Sequence, residues 1–133
     1  MRVASTMKKT IKPTPLESKI LSVLWKHPSS NVREVNAALD DGKERAYTTV
    51  LTSLQLMERK GLVSRKREGV TDWWRARVKA DAVARPMLTD LVKRMLGGKR
   101  GLALQYLLEE EPVSGEELDE LQSMIDAARK RNQ

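Results

Sequence analysis

Thr48, Thr52, Gln55 and Arg59 recur at intervals of four, three and four within Ala46–Lys60. At about 100° per residue they share one stripe of a helix, with Val50, Leu54 and Met57 gathered on the opposite side. The chemistry such a stripe offers is hydrogen bonding. Two hydroxyls, an amide and a guanidinium are the groups that reach base edges and phosphate oxygens. Any helix that buries one side leaves the other outside, so a solvated face is the plain alternative. Two features weigh against it. Thr is a poor helix former where Ala, Glu and Lys ordinarily fill exposed surface. The flanks are also basic: Lys43 and Arg45 stand just before the stripe, and Arg65, Lys66, Arg67, Arg75 and Arg77 follow it.

Elsewhere the residue types argue against catalysis. His27 is the single histidine and sits beside Pro28 at a helix end, and there is no cysteine. Thiolate nucleophiles, disulfides and Cys-based metal sites are thereby excluded. None of the phosphate-loop, zinc-protease or serine-hydrolase motifs occurs. Glu109-Glu110-Glu111 is explained by solvation at a helix end, and Gly97-Gly98 by a helix stop. The expectation is a non-enzyme with no catalytic residue, no metal and no cofactor.

The stripe needs elements to present it, and caps and breakers outline them. Thr14-Pro15 opens a first helix whose apolar side is Leu16, Ile20, Leu21, Val23 and Leu24, and Pro28 stops it. One of Ser29, Ser30 or Asn31 opens a short second helix with Val32, Val35, Ala38 and Leu39 inward. Asp40-Asp41-Gly42 is a turn. The striped third helix ends at Gly61. A strand over Leu62–Arg67, a turn over Glu68–Asp72 and a strand over Trp73–Val78 then form a hairpin. Trp73 and Trp74 point to opposite faces of it, one of them onto the helices.

Beyond residue 80 the pattern is helical. Asp81 is a candidate cap for a helix reaching Leu96, which starts or bends at Pro86. A second helix covers Gly101–Glu110, and a third follows a capping box at Ser114 and Glu117. Leu102, Leu107, Leu108, Leu118, Leu121 and Ile125 are apolar positions on helices too small to bury much alone, so they are expected to be covered by a second copy.

The charge divides along the same line. Residues 1–79 carry 17 Lys and Arg against 8 Asp and Glu, whereas residues 80–133 carry 8 against 10. The net +7 therefore belongs to the first part, which favours a polyanionic partner. Residues 1–14 (Met1 to Thr14) form a basic arm without the apolar run of a secretory signal, and no stretch is long and apolar enough to span a membrane. The expected organisation is a flexible arm at 1–14, a DNA-binding unit at 15–79 and a helical dimerisation unit at 80–133. The expected location is the cytoplasm.

"LESKILSVLWKHPSSNVREV", "AYTTVLTSLQLMERKGLV" and "LEEEPVSGEELDELQSMID", in that order, resemble the penicillinase-repressor (BlaI/MecI/CopY) family. Thr49-Val50, Lys60-Gly61 and the acidic segment before the last helix are the more specific parts. The resemblance implies a mainly α fold: a winged helix-turn-helix with a small β-hairpin wing, joined to a C-terminal helical dimerisation segment. It implies a homodimeric repressor on palindromic operator DNA. It maps DNA contacts onto Thr48, Thr49, Thr52, Gln55 and Arg59, and the wing role onto Lys66 and Arg67. It also places a membrane sensor-protease pathway among the conceivable partners. The chain departs from the family in four respects. Leu56 stands where a basic residue is usual, and Ser53 where an apolar one is common. With no Phe, the Asn-Phe bond cut in some members is absent; without Cys, the copper-sensing motif is absent too. A winged-helix module that docks proteins rather than DNA is the alternative reading.

Overall fold

The computed structural model describes residues 12–133, so the basic arm expected at residues 1–14 lies outside the described residues up to position 11. Helix α1 is Pro15–Lys26. Its N-terminus is closed by a reciprocal capping box: Glu17 N–H donates to Thr14 Oγ1 and Thr14 N–H to Glu17 Oε1. Such a box satisfies two of the donors a helix start leaves open. Helix α2, Val32–Ala38, repeats the device with Asn31 and Glu34. Helix α3 is Tyr47–Arg59, with Ala46 at its N-cap and Lys60 at its C-cap. Gly61 follows at φ 81°, a left-handed conformation that Cβ-bearing residues resist.

Strands β1 (Val63–Glu68) and β2 (Thr71–Ala76) pair antiparallel, with Val63 opposite Ala76 and Glu68 opposite Thr71. The hairpin is tighter than the sequence implies. Its loop is Gly69-Val70 rather than Glu68–Asp72, because Gly69 adopts φ 65° and lets two residues reverse the chain. The returning strand accordingly begins at Thr71, not Trp73.

A third segment joins this sheet edge without any sequence signal. Ser30 and Trp74 exchange both backbone hydrogen bonds, at 3.0 Å and 2.7 Å. Ser29, at φ 65°, turns the chain into that bridge.

One compact unit ends at Leu88 and the other is Thr89–Gln133. In the first, α1, α2, α3 and the hairpin close over one core in which Ile20, Leu21, Val35, Val50, Leu54, Met57 and Trp74 are fully buried. Burying side chains of this size contributes about 1.5–3 kcal/mol each. Trp74 is the tryptophan that packs on the helices; Trp73 is only partly covered. Ala38, expected inward, is exposed. Helix α2 ends there, and Leu39 at the C-cap, also expected inward, is buried. Trp25 Nε1 donates to Val78 O at 2.9 Å, which ties α1 to the segment leaving the hairpin.

Helix α4, Ala80–Met95, contains Pro86 without interruption; Val83, in its first half, packs against the first unit's core. Asp81 lies inside the first turn of α4 rather than capping it. Its place there still suits the helix dipole. Helices α5, Arg100–Glu110, and α6, Gly115–Arg131, complete the chain. Of the capping box expected for α6, only the bond from Glu117 N–H to Ser114 Oγ forms, at 3.1 Å.

Candidate nucleic-acid interface

Val50, Leu54 and Met57 fix the rotation of α3 about its axis, because all three are fully buried. The opposite side is thereby turned outward. Thr48, Thr49, Thr52 and Arg59 are exposed, and Gln55 is partly so. The flanks differ. Leu51 packs against the core, whereas Leu56 is 43% exposed and adds an apolar edge to the polar face. Ser53 is half-buried. A row of hydroxyl, amide and guanidinium groups bordered by one apolar side chain has the donors, acceptors and methyl contact needed to read base edges in a major groove.

The turn entering α3 is held by one carboxylate. Asp41 accepts from Arg45 Nη1 at 3.0 Å and Nη2 at 2.6 Å, from Lys19 Nζ at 2.8 Å, and from the Lys43 N–H at 3.3 Å. These partners, Arg45 above all and then Lys19, hold the Asp41 carboxyl far below the usual carboxylate range against the opposing effect of burial. Asp41 in turn raises the pKa of Arg45. Asn36 Nδ2 donates to Arg45 O at 3.2 Å, so α2 grips the same residue by its backbone. Lys43 keeps its side chain exposed, while that of Arg45 is only 11% exposed. In the sequence Asp40-Asp41-Gly42 reads only as a turn. Lys19 and Arg45 lie too far from it in the chain, or too ordinary beside it, to announce the cluster.

The hairpin sorts its cations by the pleat. Arg65 and Arg67 share a face with Trp74 and Asp72, whereas Lys66 and Arg75 lie on the other face with Trp73. Arg65 stacks 5.4 Å above the centre of the Trp74 ring and pairs with Glu58 of α3 at 3.4 Å and Asp72 at 3.3 Å. Arg67 reaches Asp72 at 3.5 Å and Gly69 O at 3.3 Å. Lys66 has no acidic partner among the described residues. The two wing residues named from the sequence are thus presented in different directions. Sequence alone missed the Arg65–Glu58 link, which braces the hairpin against α3.

Three helices, a short bridge strand and a hairpin, with the third helix presenting a polar face, make a winged helix-turn-helix. The pattern that defines the penicillinase repressor family matches residues 13–127. The chain belongs to the penicillinase repressor family. It is 25% identical to the penicillinase repressor of Bacillus licheniformis over 125 residues, covering 94% of this chain and 98% of that one. Among solved structures it is similar to the homodimeric winged helix-turn-helix domain Mb0332 of Mycobacterium bovis. The identity is 19%, the coverage 85% and 94% of the two chains, and the TM-score 0.51. It also matches the B. licheniformis BlaI monomer in complex with the blaP half-operator, with 24% identity, coverage of 54% and 88%, and a TM-score of 0.46.

In this member of the penicillinase repressor family the three C-terminal helices are built unlike the first three. None of α4, α5 and α6 has a buried residue. Of the positions marked from the sequence, Leu102, Leu108 and Leu121 are half-buried, while Leu107 is 67%, Leu118 47% and Ile125 40% exposed. Leu88, Leu91 and Met95, at helical spacing on α4, and Met124 on α6 are exposed too, beyond the positions expected from the sequence. Their spacing of three and four is a signal that was there to use. Among the described residues no cluster of three or more His, Cys, Asp or Glu is placed to hold a metal, and no helix is long and apolar enough to cross a membrane.

Proposed function

We propose that this protein is a sequence-specific DNA-binding transcriptional repressor that acts as a homodimer on a two-fold symmetric operator. The carrying observation is the outward face of α3. Its rotation is set by three fully buried residues, so Thr48, Thr49, Thr52, Gln55 and Arg59 are displayed together. In this fold class the second helix of the helix-turn-helix enters the major groove, and its first residues reach the bases. Lys43, Lys66 and Arg67 are exposed around it and suit phosphates.

The homodimer is supported by the three C-terminal helices. A chain with no buried residue in three helices and a series of exposed Leu, Met and Ile is short of a core, and a second copy would complete it. The B. licheniformis relative is named as a penicillinase repressor, which supports repression as the outcome of binding. Two recognition helices related by a two-fold axis would occupy half-sites about 34–36 Å apart, or a multiple of that. The reading places the protein with DNA in the cytoplasm. A membrane sensor-protease that relieves repression belongs to the same reading, with its cut at a bond other than Asn-Phe, because the chain has no Phe.

The test is selection of bound fragments from the host genome by the intact protein, followed by gel shifts against the recovered and a scrambled duplex. Recovery of a shared, two-fold symmetric sequence supports the proposal. Equal binding of both duplexes contradicts it.

A further inference from the structure

We infer that Asp41 is a positioning residue that raises sequence discrimination at the expense of general attraction to polyanions. The inference rests on the DNA-binding reading and deepens it. Asp41 bridges three parts of the first unit: Lys19 in α1, the Lys43 backbone in the turn, and Arg45 immediately before the N-cap of α3. That N-cap is Ala46, which has no side chain to close the helix, whereas α1 and α2 both begin with full capping boxes. The first turn of α3 is therefore oriented from outside itself. Two residues do this by gripping Arg45: Asp41 takes its guanidinium in a two-pronged pair, and Asn36 donates to its carbonyl. Thr48 and Thr49 lie in the turn that follows. A hydrogen bond to a base edge weakens steeply with misalignment, so the grip on Arg45 is transmitted to discrimination.

The same carboxylate has a second effect. It pairs with Lys19 and Arg45 and offsets one unit of their combined charge, which would otherwise add to non-specific phosphate attraction. Positioning and masking are separable. Asp41→Asn loses both, raising the local net charge by one unit and loosening the turn. Asn36→Ala loosens the turn and frees no charge.

The experiment measures binding of the full chain to two probes across a salt series: a duplex recovered from a random-sequence pool by the wild type, and a scrambled duplex of the same composition. Thermal unfolding of each variant is recorded alongside. For Asp41→Asn, affinity for the scrambled duplex is expected to rise by roughly three- to tenfold, with a steeper salt dependence. The preference for the selected duplex is expected to fall about tenfold. For Asn36→Ala, affinity for the scrambled duplex stays at the wild-type value while the preference falls. Asp41→Glu, which keeps the charge, should leave affinity for the scrambled duplex at the wild-type value. Wild-type preference retained in both Asp41→Asn and Asn36→Ala overturns the inference. So does a parallel loss of binding to both probes in Asp41→Asn, which would mark Asp41 as a residue of the fold alone. A wild type that binds the two probes equally overturns the DNA-recognition reading itself and this inference with it.

Discussion

Lys60 Nζ lies 2.8 Å and 3.0 Å from the two carboxylate oxygens of Glu17, a residue 43 positions earlier. Glu17 is buried and already caps its own helix by accepting from Thr14 N–H. The pair therefore fastens the start of α1 to the end of α3, the helix that carries the recognition face. Lys60→Met would leave a buried carboxylate short of its cation. We expect a loss of about 1–3 kcal/mol in chemical denaturation, discounted because Lys60 itself is partly exposed. Glu17→Gln/Lys60→Met should recover part of the loss, since both charges are then removed. Equal stability of Lys60→Met and wild type would contradict this account of the joint.

Thr52→Ala and Gln55→Ala should relax base preference and leave binding to scrambled DNA nearly unchanged. Each good contact to a base is worth about 1–3 kcal/mol of discrimination. Competition gel shifts with single-base operator variants locate the position each residue reads. A uniform loss across all sequences would instead place these side chains on the backbone.

The pleat separates Lys66 from Arg67, and their electrostatic settings differ too. Arg67 is partly compensated by Asp72, whereas Lys66 is not. Lys66→Gln is therefore expected to reduce the salt slope by about one, and Arg67→Gln by less. The measurement is affinity for a fixed duplex over a salt series. A larger change for Arg67→Gln would reverse the assignment.

Much of this architecture was legible because its signals are local. Thr14-Pro15, Gly61, Gly97-Gly98 and Pro112 bound helices by their own backbone chemistry, and the spacing of Val50, Leu54 and Met57 identified the buried side of α3 directly. What escaped depends on distant partners. The Ser30–Trp74 bridge needs a left-handed Ser29 and a strand over 40 positions away, neither of which leaves a periodic trace. Asp41 looked like half of an acidic turn because Lys19 reaches it from 22 positions earlier. Of the two apolar residues expected inward at the end of α2, Leu39 at the C-cap is buried and Ala38 in the last turn is exposed. The face of α3 was visible in the sequence, but the way its first turn is held was not.

Asp41 also predicts a pH signature. Its carboxyl is held far below the usual range in the folded protein, so the stabilisation it provides is complete above the unfolded value of about 3.9 and is lost as pH falls below that, toward the folded pKa. The stability difference between wild type and Asp41→Asn should stay constant from neutral pH down to about pH 5 and shrink at more acidic values. Urea titrations at a series of pH values check this. A difference that does not change down to about pH 2 would show that the carboxylate's charge is not what holds the turn.

Ile125→Asp and Leu118→Asp place charge on the exposed apolar side of α6. A stable dimer buries about 800 Å² per partner, and charge at its centre opposes that burial. Sedimentation should show wild-type dimers and variant monomers. Affinity for a symmetric duplex should fall by on the order of a hundredfold, with affinity for a single half-site little changed. Variants that remain dimeric would move the contact to α4 and its exposed Leu88, Leu91 and Met95.

The most direct test is quantitative binding of the intact protein to its best selected duplex and to scrambled DNA at one moderate salt concentration. The account predicts a preference of about a thousandfold or more for a two-fold symmetric site whose halves are one helical turn, or a multiple of it, apart. Indistinguishable affinities for the two duplexes would contradict it.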